Sequence, residues 1–352
     1  MTRLLKYLAL ALCPFAGGCG GADDEFTIIV IPKGLTHEHW QSVRRGAERC
    51  ADDLTAEGVR VRMVFDGPLR ERDAMEQIRI VDRRVATGFP GRTGIVLAPQ
   101  HSKTMTACVK RADEMGVPVV VIDSDLVENA HYVKYVATDN EHGGYLAGEH
   151  LIAELKKQGK EKPRLILFRY AVGSESTEQR EKGFERAVRE FCPDAVWLST
   201  DKYAGATRDS AKREAGPLVL QFKDEVDGIF APNESSASGM LDVLKSQGLN
   251  KKVLLMGFDS SKPLLDAIRE GDVIGSILQD PYRMGYVSTW YCVRHLQGED
   301  VSAGRRDMSL STGEYLVTRG NVDSEFVLGL YDPATQARRA TAALRQGPEA
   351  KP

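Results

Sequence analysis

The stretch "IPKGLTHEHWQSVRRGA", Ile31 to Ala47, sets His37, Glu38 and His39 in consecutive positions directly ahead of Trp40. Two imidazoles and a carboxylate this close could hold a metal, exchange protons with a substrate, or grip a polar ligand. The zinc-protease pattern H-E-x-x-H needs a histidine at position 41, where Gln41 stands. A loop-borne metal would need a further ligand nearby, and His101, His131, His142, His150 and His295 are isolated along the chain. No G-x-x-x-x-G-K-[ST] phosphate loop, no strand-linked G-x-G-x-x-G and no G-x-S-x-G nucleophile elbow occurs. Ligand gripping without metal or cofactor is the chemistry that remains best supported.

A second set of polar residues follows strongly apolar runs. "PVVVID" ends in Asp123, "GIFAPN" in Asn233, "VLLMGFD" in Asp259 and "GSILQ" in Gln279. In open parallel sheets ligands bind beyond the carboxyl ends of the strands. Any one aspartate there could simply cap the next helix; Asn233 and Gln279 fit a purely capping role less well. Together they offer carboxylate acceptors and amides that both donate and accept, which suits adjacent hydroxyls. Trp40 adds a flat apolar face and Arg180, in "STEQREKGF", a rigid multiple donor. An aromatic plate with carboxylates, amides and one arginine is the chemistry of a sugar pocket.

The elements that would position these residues are short β-branched runs alternating with helical patterns from Phe26 onward, the signature of βα units and a mainly parallel sheet. Ten strand candidates, the first "FTIIVIP" and the last "GSILQD", exceed what one doubly wound sheet holds, so two lobes are expected. Apolar stripes Met75, Ile78, Val81, Val85 and Phe184, Ala187, Val188, Phe191 are expected to face the sheets. "VKYVATDN", Val133 to Asn140, lies mid-chain and is a natural crossing between lobes. The polar segment 331–352 reads as a loose tail with at most one weak helix.

The 352-residue chain, 42% apolar with net charge −3, has enough material for two cores and no broad basic surface for nucleic acid. Its opening, "MTRLLKYLALALCPFAGGCG", has Arg3 and Lys6 before a short apolar run ending in small residues, which reads as an export signal over residues 1–19. "AGGC" resembles the bacterial lipobox, with Ala16 where leucine is usual, and marks Cys19 for lipidation. Residues 20–25 then form a tether. Cys50, Cys108, Cys192 and Cys292 form no C-x-x-C pair and read as buried thiols, with one or two disulfides open.

In the order "VIPKGLTHEHWQSVRRGA", "GIVLAP", "VPVVVIDSD", "VATDNEHGGYLAGEHL", "GSESTEQREKGFERAV", "GIFAPNESSASGML", "MGFDSSKPLLDAIREGDVIGSILQDPYRMG", the chain resembles the ribose-type periplasmic sugar-binding proteins of ABC importers from about Phe26 to Thr318. Their fold is shared with the ligand domain of LacI-type repressors. The resemblance implies an α/β fold of two doubly wound lobes joined by a three-crossing hinge: 26–138 plus 280–311, and 139–279 plus 312–330. It implies that His39 and Trp40 sandwich the sugar, and that Asp123, Arg180, Asn233, Asp259 and Gln279 hydrogen-bond it. Ser124 replaces an arginine of the family, with Asp125 as partial substitute, and Tyr203 is the loosely aligned aromatic from the second lobe. His37 and Glu38 are left as rim contacts, and pH-dependent affinity is assigned to His39.

The implied protein is not an enzyme and needs no cofactor or structural metal, since the calcium loop of glucose- and galactose-binding relatives is absent. It is a monomer in the periplasm or cell envelope, held by a lipid anchor, that binds a monosaccharide or sugar-like molecule and hands it to an ABC permease. A receptor feeding a sensor kinase or chemoreceptor, and an exported α/β enzyme acting on carbohydrate, are the alternatives. A LacI-type regulator would need a DNA-binding helix pair where the export signal stands.

Overall fold

A computed structural model describes residues 25–127, 130–301 and 309–336. The export signal, Cys19, residues 20–24 of the tether and the tail beyond position 336 lie outside the described residues. The chain builds β1 (Phe26–Ile31), α1 (Glu38–Ala56), β2 (Val61–Phe65), α2 (Ala74–Thr87), β3 (Thr93–Leu97), α3 (Thr106–Glu114), β4 (Val119–Ile122) and β5 (Lys134–Ala137). It continues through α4 (Asn140–Lys157), β6 (Arg164–Arg169), α5 (Glu175–Phe191), β7 (Val196–Tyr203), α6 (Arg208–Phe222), β8 (Gly228–Phe230), α7 (Glu234–Ser246), β9 (Leu254–Phe258), α8 (Lys262–Glu270) and β10 (Gly275–Gln279). Last come α9 (Pro281–Leu296), β11 (Ser309–Ser311), β12 (Glu314–Val317) and α10 (Glu325–Tyr331).

Two six-stranded sheets result, ordered β11-β5-β4-β3-β1-β2 and β12-β10-β9-β8-β6-β7. All pairs are parallel except β12 against β10. Strands such as β3, β4 and β9 are buried along their whole length, because helices cover both faces, which is why they read as unbroken apolar runs. The chain passes between the sheets after β5, after β10 and between β11 and β12. The two strands beyond the ten candidates, β11 and β12, have three and four residues, too short to show a period.

Each lobe is tightened by a reciprocal glycine crossing. A Cβ on Gly46 of α1 would lie 1.9 Å from the Tyr282 carbonyl oxygen of α9, and one on Gly285 equally close to that of Val43. In the second lobe Gly144 of α4 meets the Arg180 carbonyl and Gly183 of α5 that of Glu141, both at 1.9 Å. Backbones can approach this far only without side chains. Gly144→Ala is therefore expected to cost about 1–3 kcal/mol by overpacking and to displace Arg180. Gly216→Ala on α6, where a Cβ meets nothing within 4 Å, should be neutral or stabilising by about 0.5–1 kcal/mol. Urea titration of the two variants checks the contrast.

Two expectations need correction. Met75 is 61% exposed, and α2 instead buries Gln77, Ile80, Val81 and Val85: Gln77 is drawn inward because its amide donates to the Pro32 and Ala98 carbonyls. Residues 331–336 are not loose. They make a last helical turn whose Gln336, 1% exposed, donates to Ser42 Oγ at 2.9 Å and to the Leu330 carbonyl at 2.8 Å. Cys50, Cys108, Cys192 and Cys292 are buried free thiols, and burial raises the pKa of each.

Candidate functional site

The carboxyl ends of both sheets face one another across a cleft lined by Lys33, His37, Glu38, His39, Trp40, Glu71, Asp123, Tyr170, Ser176, Arg180, Asn233, Glu234, Asp259 and Gln279 among others. Asp123 and Asp259 occupy equivalent places, each just past the fourth strand of its lobe, and neither is the N-cap of the helix that follows it. Both are in the left-handed region, φ 64° and 67°, and each donates its backbone N–H to the neighbouring strand, at Val136 and Ile277. Non-glycine residues rarely take that conformation, and it turns each carboxylate out of the sheet into the cleft.

Each aspartate has a buried cation. Lys33, at the tip of β1, places Nζ 2.6 Å from Asp123 and also donates to Ser124 Oγ and Ser176 Oγ. Burial alone would raise the Asp123 pKa, but the charge of Lys33 above all, together with that of Arg180, holds it well below the usual carboxylate range. Arg180, 2% exposed, donates Nε to Asn140 Oδ1 and Nη1 to the Pro232 carbonyl. It lies 3.6 Å from Asp259 and stacks 3.8 Å over the Phe258 ring. Its Nη2 and the Nε2 of His39 are buried with no hydrogen-bond partner. Buried polar atoms are nearly always paired, so these two mark where a ligand's polar groups belong: Arg180 Nη2 can only donate, and His39 Nε2, 3.8 Å from Asp123 Oδ1, donates or accepts according to its tautomer.

The lobes are shut on each other. Ser176, at the N-terminus of α5, packs its hydroxyl against Ser124 and Asp123 from across the cleft. Asn140 bridges the Asp123 carbonyl and Arg180, and Tyr170 at the tip of β6 donates its hydroxyl to Glu71. His37 lies 3.5 Å from Glu234. At the hinge, Thr138 donates to Gln279 Oε1 at 2.8 Å while Gln279 Nε2 donates to Asp259 Oδ1 at 2.5 Å.

The expected site residues divide accordingly. His39, Trp40, Asp123, Arg180, Asn233, Asp259 and Gln279 all line the cleft. Trp40 is only 3% exposed, with its indole N–H donated to Glu71, so it is more wall than plate; His39 meets it edge-on at 4.6 Å. Asn233, read as a poor cap, does cap α7: its Oδ1 accepts from Ser236 N and Oγ. Ser124 is fully buried beneath the cleft. Asp125 accepts from Tyr132 and donates its N–H to Glu175, and it is not among the residues that line the cleft; the cation against Asp123 is Lys33. Tyr203 ends the edge strand β7, 41% exposed and outside the cleft; the aromatic that reaches in is Tyr170, on the more central β6. Lys33 and Tyr170 stand at strand tips, so position alone could have flagged them. Glu71 lies in an irregular loop and carries no such signal.

The sequence profile of the periplasmic binding protein domain matches residues 28–300. The chain is 25% identical over 304 residues to the ribose import binding protein of Haemophilus influenzae, covering 86% of this chain and 95% of that one. It is 26% identical over 277 residues to its counterpart in Escherichia coli, with 79% and 87% covered. A carbohydrate transporter solute-binding protein of Agrobacterium radiobacter, solved with D-arabinose, superimposes with a TM-score of 0.80 at 32% identity, covering 88% of this chain and all of that one. A solute-binding protein of Agrobacterium vitis with bound D-fucose gives 0.77 at 26%, with 86% and 99% covered. The chain belongs to the periplasmic binding protein family, as a ribose-binding-like type I member.

Proposed function

We propose that this protein is an exported binding protein of an ABC importer that takes a sugar or sugar-like molecule in the interlobe cleft and delivers it by hinge closure. The observation that carries this reading is the pair of buried nitrogens without a hydrogen bond, Arg180 Nη2 and His39 Nε2, beside two strand-tip carboxylates from opposite lobes. Carboxylates accept from hydroxyls, Arg180 Nη2 donates to them and an imidazole nitrogen can do either, so one polyol satisfies both lobes and favours the closed state. The sugars named for the ribose import proteins and for the D-arabinose complex support the ligand class. Anchoring through Cys19, a monomeric state and the lobe boundaries at 138–139, 279–280 and 311–312 belong to the same reading. A thermal-shift panel of pentoses, hexoses and polyols tests it: a ligand of the folded state raises the melting temperature, and no shift from any member would count against it.

The site also sets a pH profile. Burial disfavours charge on His37, but the bond to Glu234 and the charges of Glu71, Glu234 and Asp259 prevail and lift its pKa from 6.5 to about 9. Its contribution to closure is full below 6.5 and is lost as pH rises through 9. For His39, burial outweighs Asp259 and Asp123, lowering the pKa; that contribution is present above 6.5 and lost as pH falls. Affinity should peak near pH 6.5 and fall by on the order of a hundredfold by pH 9.5, most of it between pH 7 and 9. His37→Gln should flatten the alkaline limb in a calorimetric pH series, and an unchanged limb would discount His37.

A further inference from the structure

Tyr170 lies one residue past the end of β6 and is held from two sides. Its hydroxyl crosses the cleft and donates to Glu71 Oε2, while Glu71 Oε1 accepts from the Trp40 indole N–H at 2.7 Å. Burial and the Glu71 charge push the Tyr170 pKa well above the ordinary phenol value, so the hydroxyl stays a donor. Its backbone N–H, beyond the last β6–β7 pair at Arg169 and Tyr203, donates to Glu181 Oε1 at 3.2 Å. Glu181 is buried on α5 beside Arg180, but it does not line the cleft. Arg169 fixes it through Oε2 at 2.5 Å and is itself tied to Glu185 at 2.8 Å and to the Thr200 carbonyl.

We propose that Glu181 is a positioning residue for closure: by holding the Tyr170 backbone it aims the hydroxyl at Glu71, and so sets how firmly the lobes shut around a ligand that Glu181 itself does not touch. The inference rests on the sugar-binding and hinge-closure reading above. Tyr170 and Glu71 belong to different lobes, so their bond exists only when the lobes are shut, and its whole contribution enters the closing equilibrium and through it the ligand affinity. A tyrosine carries its hydroxyl at the far end of a rigid ring, so a small turn of the backbone takes it out of hydrogen-bond range. A buried N–H without an acceptor is costly, so Tyr170 would make that turn to find another once Glu181 no longer reached it. Burial lifts the Glu181 pKa to about 7 against the Arg169 charge. Ionised or protonated, its Oε1 still accepts from the Tyr170 N–H, and the reach of the acceptor is what counts.

Calorimetric titration of the full chain with D-ribose, D-arabinose and D-fucose tests the proposal, in the wild type, Glu181→Asp, Glu181→Gln, Tyr170→Phe and the double variant Glu181→Asp with Tyr170→Phe. Glu181→Asp keeps the charge beside Arg169 but draws the acceptor back by one methylene, and it should weaken binding about fivefold, as should Tyr170→Phe. Glu181→Gln keeps the reach and loses the charge, and it should bind within about twofold of the wild type. The double variant should bind within about twofold of the weaker single variant, because both changes release the same clasp. Both replacements of Glu181 are close in size to the original, and urea midpoints show that each variant is folded. Wild-type affinity in Glu181→Asp, or losses that multiply in the double variant, would overturn the positioning role and leave the sugar reading intact. Binding of none of the three sugars by the wild type would overturn both.

Discussion

Asp259→Ala is expected to weaken sugar binding by about 100-fold or more, close to 3 kcal/mol, while both lobes stay folded. The carboxylate anchors Gln279 at the hinge, accepts from the Glu234 N–H and faces Arg180, so its loss removes a ligand acceptor and loosens closure together. Arg180 keeps Asn140, the Pro232 carbonyl and the Phe258 ring, which is why the fold should survive. Alanine in the left-handed conformation itself costs about 1–2 kcal/mol. Asp259→Asn, which tolerates that conformation, separates strain from charge and should show an intermediate loss of affinity by calorimetry with an unchanged urea midpoint.

Lys33→Met should have the largest effect on stability. It strands the Asp123 carboxylate, 4% exposed, without its nearest cation, and breaking a buried pair this way typically costs about 3–5 kcal/mol. The sign with pH follows. In the wild type the depressed Asp123 pKa contributes stability above the ordinary aspartate range that is lost on acidification. In Lys33→Met burial instead favours the protonated acid, so the gap to wild type should narrow as pH falls from 7 towards 4. Lys33→Met combined with Asp123→Asn should recover part of the loss. A constant gap across that range would mean the pair is not the cause.

The lobes and most strands are legible in the sequence because buried parallel strands are continuous apolar runs and each is followed by a helix of regular period. The strand-tip rule brings Asp123, Asn233, Asp259 and Gln279 to the cleft for a physical reason, since parallel strands all end on one side of their sheet. It does not distinguish roles. Asn233 is occupied as a cap, and Gln279 as a hinge strut between Thr138 and Asp259. Lys33 escapes notice because a lysine after a strand is ordinarily solvated, and only the folded chain shows its charge opposite Asp123.

Position along a sheet decides the remaining differences. Tyr203 and Tyr170 both end strands, but β7 is an edge strand and β6 is not, and that order appears in no local pattern. The docked residues 331–336 read as loose because their composition is polar. Their order comes from one glutamine buried against α1. The two "HEHW" histidines are shifted in opposite directions. His39 is the buried neutral wall, and His37, left as a rim contact, is the group that holds its proton against Glu234.

The most direct test is calorimetric titration, at pH 6.5, of the wild-type chain with each sugar that shifts its melting temperature, alongside X-ray scattering of the free and saturated protein. One ligand per chain, bound at micromolar affinity or tighter with a decrease in radius of gyration, is the expected result. Saturable binding that leaves the radius of gyration unchanged, or no binding by any pentose, hexose, polyol or disaccharide, would contradict closure around a sugar between the two lobes.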